Sequence, residues 1–260
     1  MADRNFDDLA LRFQRNVYSG LKGEIRLAIL QRDFREYLPI FECSRDEEPI
    51  TVLDAGGGLG QMARLFATRG HHVTLCDISE NMLALADEEN RQLGLDSRIE
   101  IKQLAIQDVA KQFPQHFDVV TCHAVMEWVD EPQQLLDDCL TCLKPGGYLS
   151  LSYYNIHGSH YKNLLRTNFK KFAKQQWGGY RGSLTPSNPL EPETVMRWID
   201  ESDFEFICES GIRTFHDYIL NKTDREREPK KVLELELEYS RIMPFMRLGR
   251  YIHVLLRKPG

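Results

Sequence analysis

The chain has 260 residues, 42% of them hydrophobic, with 39 acidic against 33 basic side chains and a net charge of −6. This is the size and apolar share of a globular α/β domain with a sizeable core, and no apolar run approaches the roughly 20 residues a membrane helix needs. The charged start Met1-Ala2-Asp3-Arg4-Asn5-Phe6-Asp7-Asp8 lacks the apolar stretch of a signal peptide, and six cysteines scattered at 43, 76, 122, 139, 142 and 208 read as reduced thiols, so a cytoplasmic protein is expected.

Residues 3–40 are expected to be helical, with Leu9, Phe13 and Val17, then Leu27, Leu30, Phe34 and Leu38, near helical spacing. Residues 49–54 form a short buried strand that runs into Ala55-Gly56-Gly57-Gly58-Leu59-Gly60. A helix follows over 61–69, then a strand over 72–77, and Ser79 caps a helix over 80–93 that Gly94 closes. Strands are expected over 99–104 and 117–123. A helix over 132–142 carries Cys139-x-x-Cys142, which has no second pair, so neither a metal nor a redox role is expected. Lys144-Pro145-Gly146-Gly147 leads into a strand over 148–153.

About 155–190 the pattern loosens into a helical insertion. No Asp or Glu occurs from Cys139 through Leu190, whereas Lys144, Lys162, Arg166, Lys170, Lys171, Lys174 and Arg181 all do. Lys162, Arg166, Lys170 and Lys174 recur at a helical interval, with Phe169, Phe172, Trp177 and Tyr180 interleaved. Phosphate contacts and base stacking would suit that composition. A helix over 193–202, a strand over 204–208, a helix over 229–240 and a strand over 251–256 complete the chain. The alternation Val232 to Glu238 has a strand period, but its Glu and Leu content favours a helix.

Strands alternating with helices call for a parallel sheet covered on both faces. The last two strands, joined without a long crossing helix, call for an antiparallel end. The expected fold is therefore a Rossmann-like, seven-stranded α/β sheet, mostly parallel with an antiparallel last strand and helices on both faces. It forms a single domain over 1–260, with N-terminal helices in 1–45 and the basic insertion.

The glycines point to a ligand. A loop between a strand and a helix N-terminus can press its backbone on a bound molecule only where no Cβ intervenes. The order here is Asp54-x-Gly56-x-Gly58-x-Gly60, and Gln61 stands where a dinucleotide fingerprint starting at Gly56 needs glycine. The arrangement resembles motif I of the S-adenosylmethionine methyltransferases. Asp77, ending the next strand, is placed to accept two ribose hydroxyls. Ile106-Gln107-Asp108 falls where such enzymes hold adenine, and His123 ends the fourth strand, facing the sulfonium and methyl by position.

The whole chain resembles the bacterial tRNA 5-carboxymethoxyuridine methyltransferases, a class I S-adenosylmethionine-dependent family. The similarity runs through Asp3-Arg4-Asn5-Phe6-Asp7-Asp8, Arg15-Asn16-x-Tyr18, Lys22-Gly23 and Arg26. It continues in Leu53-Asp54-Ala55-Gly56-Gly57-Gly58, His123-Ala124-Val125-x-Glu127-Trp128-Val129, Tyr154-Asn155 and His157-Gly158. It ends in Gly211-x-Arg213-x-Phe215-His216-Asp217-Tyr218 and Leu248-Gly249-Arg250-Tyr251-Ile252-His253. The resemblance implies S-adenosylmethionine as cofactor, held by Arg26, Gly56, Gly57, Asp77, Ile106 and His123. It also implies a tRNA partner whose wobble carboxymethoxyuridine becomes a methyl ester.

An acceptor carboxylate is ionised at neutral pH and needs no general base. The expected work is positioning: one arginine holding the distal oxygen, with Arg213 and Arg250 as candidates and Tyr154, Tyr251 and His253 shaping the pocket. Two other readings stand beside this one. The first is methyl transfer to a small-molecule carboxylate or quinone precursor; the second is a non-catalytic S-adenosylmethionine-binding module. The sequence does not specify an oligomeric state.

Overall fold

The computed structural model describes residues 5, 7, 10, 20–42, 48–178, 184–186 and 188–260. The expected helical positions Leu9, Phe13 and Val17, the stretch Arg15-Asn16-x-Tyr18, Cys43, Tyr180 and Arg181 lie outside those residues.

The helix α1 (Leu21–Tyr37) precedes β1 (Thr51–Ala55), α2 (Gln61–Ala67), β2 (His72–Asp77), α3 (Glu80–Gln92) and β3 (Ile99–Gln103). The helix α4 (Ile106–Gln112), β4 (Phe117–His123), α5 (Pro132–Cys142) and β5 (Leu143–Tyr154) follow. The insertion holds α6 (Ile156–Leu165) and α7 (Phe169–Lys174), and the chain ends with α8 (Pro192–Asp200), β6 (Glu205–Ile212), α9 (Lys222–Arg227), α10 (Pro229–Tyr239) and β7 (Tyr251–Arg257). Among these residues no helix is long and apolar enough to cross a membrane.

All seven strands join one sheet in the order β3-β2-β1-β4-β5-β7-β6. β1 pairs parallel with both β2 and β4, so the strand order reverses there. β7 alone runs against the rest, antiparallel to both β5 and β6. β1 is buried on both faces and shows no polar alternation, as a central parallel strand should. One face carries Val109 of α4, Leu135 and Leu136 of α5 and Val195 of α8. The other carries Ile25, Ile29 and Phe34 of α1, Phe66 of α2, Ala86 of α3 and Val232 of α10. Five cysteines, 76, 122, 139, 142 and 208, are free and buried.

Three elements differ from the expected spans. β5 begins at Leu143, because Leu143 pairs with Phe117 before the ladder resumes at Val119 and Tyr148, leaving Lys144–Gly147 as an irregularity inside the strand. β6 continues to Ile212, since β7 offers a ladder along its whole length, although Glu209, Ser210 and Gly211 carry little strand signal. The insertion is two helices broken at Thr167, which has a φ of 53°. The four basic residues therefore do not share one helical face.

Parallel strands with one antiparallel neighbour place distant segments on one edge. The carboxyl ends of β1, β2, β4 and β5 lie there. So does the start of β7, because Tyr251 pairs with both Tyr154 and Ile212. Arg213, just after β6, and Arg250, just before β7, arrive at the same edge.

Candidate active site

Space governs the glycine loop. A Cβ on Gly57 would lie 2.4 Å from Leu75 Cδ1 and 2.5 Å from the Asp54 carboxylate. Gly56 has φ +63°, and its Cβ would lie 2.6 Å from Val125 Cγ2. Glycine at both positions thus lets the loop close against β1, β2 and the turn after β4 at the carboxyl edge of the sheet, where open α/β sheets bind their ligands.

Two aspartates fix this loop. Asp54 accepts hydrogen bonds from the Ala63 amide (3.0 Å) and the Thr121 hydroxyl (2.9 Å), and burial pushes its carboxyl up to about 6. Asp77 accepts from the Gly58 amide through one oxygen (2.9 Å) and from the Ser79 amide through the other (2.8 Å). Burial raises the Asp77 carboxyl too. Each oxygen of a carboxylate has two lone pairs, so a ribose can still be accepted beside these bonds.

The N-terminal segment reaches this place. Asp7 accepts from the Ser79 hydroxyl (2.6 Å) and the Asn81 amide (3.1 Å), Asn5 donates to the Ile78 carbonyl (3.3 Å), and Ala10 packs with Leu59 and Met82. Ile106 is buried in the first turn of α4, and the exposed Asp108 pairs with Lys111. His123 is half-buried at the end of β4, with Nε2 2.8 Å from Ser150 Oγ, and burial lowers its pKa well below the usual imidazole range.

Beside this crevice lies a cavity of about 210 Å³ lined by cations. Arg26, Arg213, Arg250, Tyr154 and Tyr251, all expected site residues, line it, together with Lys22, Lys162 and Asp217. The guanidinium groups of Arg26 (4.5 Å) and Arg213 (5.4 Å) both lie over the Tyr251 ring, and that of Arg250 sits 4.5 Å over Tyr154. The two rings meet edge to face. Asp217 lies 3.3 Å from Lys162, 3.6 Å from Arg213 and 3.7 Å from Arg250. Burial by itself raises the Asp217 carboxyl, but the Arg213 charge, the His216 hydrogen bond and the lysines hold it well below the usual range. The same desolvation lowers Lys22 and Lys162 and brings Arg250 down to about 10.

Arg213 adopts φ +60°, a left-handed conformation costing about 1–2 kcal/mol for a residue with a Cβ. The turn after it is held by Glu236 of α10. This buried carboxylate accepts from the amides of Thr214 (2.7 Å), Phe215 (3.2 Å) and His216 (2.7 Å), and from the Thr214 hydroxyl (3.0 Å). Among the described residues, the Nε atom of Arg213 and the Tyr154 hydroxyl are buried with no hydrogen-bond partner.

Two expectations change. His253 does not line the cavity; it is fully buried on β7, bonded to Asp33 and Ser150. Lys162 is not an outward RNA contact, because its side chain turns inward to Asp217. The roles of Lys22 and Glu236 carried no local signal, since each is defined by side chains from remote segments; Asp217 has Arg213 four residues before it, but Lys162 and Arg250 reach it only in the fold.

Comparison with known proteins follows this division of the chain. Residues 53–151 match a family described as a methyltransferase domain. Over 259 residues the chain is 39% identical to the tRNA 5-carboxymethoxyuridine methyltransferase of Escherichia coli (strain K12), covering 100% of this chain and 98% of that protein. It is 34% identical over 154 residues to the ubiquinone biosynthesis O-methyltransferase of Dechloromonas aromatica (strain RCB), covering 59% of this chain and 64% of that one. The solved structure of a candidate S-adenosylmethionine-dependent methyltransferase from Listeria monocytogenes shares the fold, with a TM-score of 0.59 at 16% identity over 91% of this chain and 100% of that chain. With the glycine cradle, the aspartate after it and a full-length match all in hand, the chain belongs to the tRNA 5-carboxymethoxyuridine methyltransferase family of S-adenosylmethionine-dependent enzymes.

Proposed function

We propose that this enzyme methylates the carboxylate of 5-carboxymethoxyuridine at tRNA position 34, forming the methyl ester in the cytoplasm. The observation that carries this reading is the cavity, in which, among the described residues, Lys22, Arg26, Lys162, Arg213 and Arg250 surround a single acid, Asp217. A surplus of buried cations is costly unless an anion arrives to balance it. A quinone precursor would call for an apolar pocket, and a module that only stored the cofactor would have no use for the cavity.

Bound S-adenosylmethionine supplies a methyl group on a positively charged sulfur. Gly56 and Gly57 would admit its methionine end, Asp77 its ribose and Ile106 its adenine, with Arg26 placed for the methionine carboxylate. The acceptor oxygen is already an anion, so no residue has to remove a proton. Arg213 and Arg250 orient the acceptor carboxylate, and the rings of Tyr251 and Tyr154 against which they lie hold the guanidinium groups in place. Asp217 keeps those groups apart and draws some of their charge, which limits how strongly they blunt the attacking oxygen. Orientation of this kind is worth up to roughly 7–11 kcal/mol.

The test uses radiolabelled S-adenosylmethionine and tRNA from cells lacking this modification step. Label should enter the tRNA and leave as volatile methanol after mild alkali. Alkali-stable label would discard the carboxylate acceptor, and no label with cofactor binding intact would discard tRNA methylation.

A further inference from the structure

Four side chains join the cofactor edge of the sheet to its interior by hydrogen bonds. His123 Nε2 on β4 lies 2.8 Å from Ser150 Oγ on β5, and Ser150 Oγ lies 2.9 Å from His253 Nε2 on β7. His253 Nδ1 lies 2.7 Å from Asp33 Oδ2 on α1. Ser150, His253 and Asp33 are all buried to 1% exposure or less. The two imidazoles meet at right angles with centroids 5.9 Å apart, and Phe34 packs against the His253 ring. Strand pairing brings the group together: Ser152 pairs with both His123 and His253, and Ser150 is two residues away on the same face.

The chain of bonds has a polarity. Burial by itself would raise the Asp33 carboxyl, but the His253 hydrogen bond and Arg32 hold it well below the usual carboxylate range. It is an acceptor only, so His253 Nδ1 donates to it. Asp33 Oδ1 already accepts from Arg32 (2.8 Å) and Arg241 (2.5 Å), so the fully buried His253 ring is not needed as a further charge to balance the carboxylate. The neutral ring accepts at Nε2 from the Ser150 hydroxyl, and the Ser150 oxygen in turn accepts from His123 Nε2–H. Burial keeps the His123 ring neutral. A neutral ring protonated at Nε2 has a bare lone pair at Nδ1.

We propose that Asp33, His253 and Ser150 are positioning residues that hold His123 as the Nε2–H tautomer. The ring then offers the methyl-transfer centre a lone pair and not an N–H. A lone pair favours a sulfonium and is indifferent to a thioether, so the relay favours charged S-adenosylmethionine over its neutral product, S-adenosylhomocysteine. This rests on the reading of His123 as a cofactor-facing residue.

The first test needs no ligand. In protein labelled with 15N-histidine, long-range proton–nitrogen spectra should show His123 protonated at Nε2 and bare at Nδ1. Ser150→Ala, which removes one oxygen, should mix the two tautomers. His253→Phe, which keeps the ring packing, should do the same. A wild-type His123 protonated at Nδ1, or a spectrum unchanged by both variants, overturns the proposal. The second test is calorimetry: Ser150→Ala should weaken S-adenosylmethionine binding about two- to tenfold, the worth of one net hydrogen bond, and leave S-adenosylhomocysteine binding unchanged. Equal weakening of both would reduce the relay to packing and overturn the proposal. Should His123→Ala leave both affinities unchanged, the cofactor-facing reading of His123 fails, and the proposal with it, whatever the spectra show.

Discussion

Glu127 brings both carboxylate oxygens into the interior with no hydrogen-bond partner among the described residues, in the short turn that follows β4. Burial pushes its pKa up to about 8, so it stays protonated in the fold at neutral pH. An unfolded chain loses that proton near 4.5, and the folded state therefore binds more protons between those values. Its contribution is present at low pH and is lost as pH rises through the window from about 4.5 to 8, by up to about 5 kcal/mol. Glu127→Gln has no proton to lose. The variant should match the wild type near pH 5 and melt progressively higher than it toward pH 9, and parallel melting curves across that range would refute the assignment. The residues that could be named in advance, Gly56, Gly57 and Asp77, act through local patterns: a tight turn, a missing Cβ, a strand end. Lys22 could not, because only the folded edge brings it to Asp217, and the same edge brings Lys162 and Arg250 to that carboxylate. Lys162 misled for a related reason: a four-residue interval describes a helix face without saying what covers it.

At the scale of elements, the spans of α3, α5 and β4 were legible because their signals are local. Ser79 accepts from the Met82 amide as a cap, Pro132 opens a helix, and the apolar run of β4 is buried on both faces. The helix α10 was legible as a helix, but its function was not. The alternation around Glu236 conceals that this one glutamate faces inward and holds the turn beyond β6. It compensates the left-handed backbone of Arg213 and so sets where that guanidinium points. Glu236→Gln replaces an accepting oxygen with a donor and strands amides of residues 214–216, a loss of about 1–3 kcal/mol per unsatisfied group. Chemical denaturation should show that loss. Kinetics should show a higher KM for tRNA with the affinity for S-adenosylmethionine unchanged, because the glycine loop lies on other strands. Equal damage to both substrates would mean that α10 supports the sheet as a whole and not the arginine.

Across the whole molecule, a net charge of −6 conceals a division of labour. Acidic side chains bind the sheet edge together from within, at Asp33, Asp54, Asp77, Asp217 and Glu236, while cations face the cavity and the insertion. The insertion also divides. Trp177 packs on His160 (3.9 Å) and Phe172 (4.7 Å), which anchors α7 to α6, so these rings are committed to the protein. Phe169 is 61% exposed, and Arg166, Lys170 and Lys174 project into solvent beside it. That set is suited to an anticodon stem and loop: phosphates for the cations and a base face for the ring. Replacing Arg166, Lys170 and Lys174 together with alanine should weaken tRNA binding and flatten its salt dependence. Three phosphate contacts correspond to a change of about 2 in the slope of log affinity against log salt. Thermal stability and S-adenosylmethionine affinity should not move, because none of the three is buried. A weaker affinity with the slope unchanged would mean that the three residues act through the conformation of the insertion, and that the phosphates are read instead by the cations at the cavity.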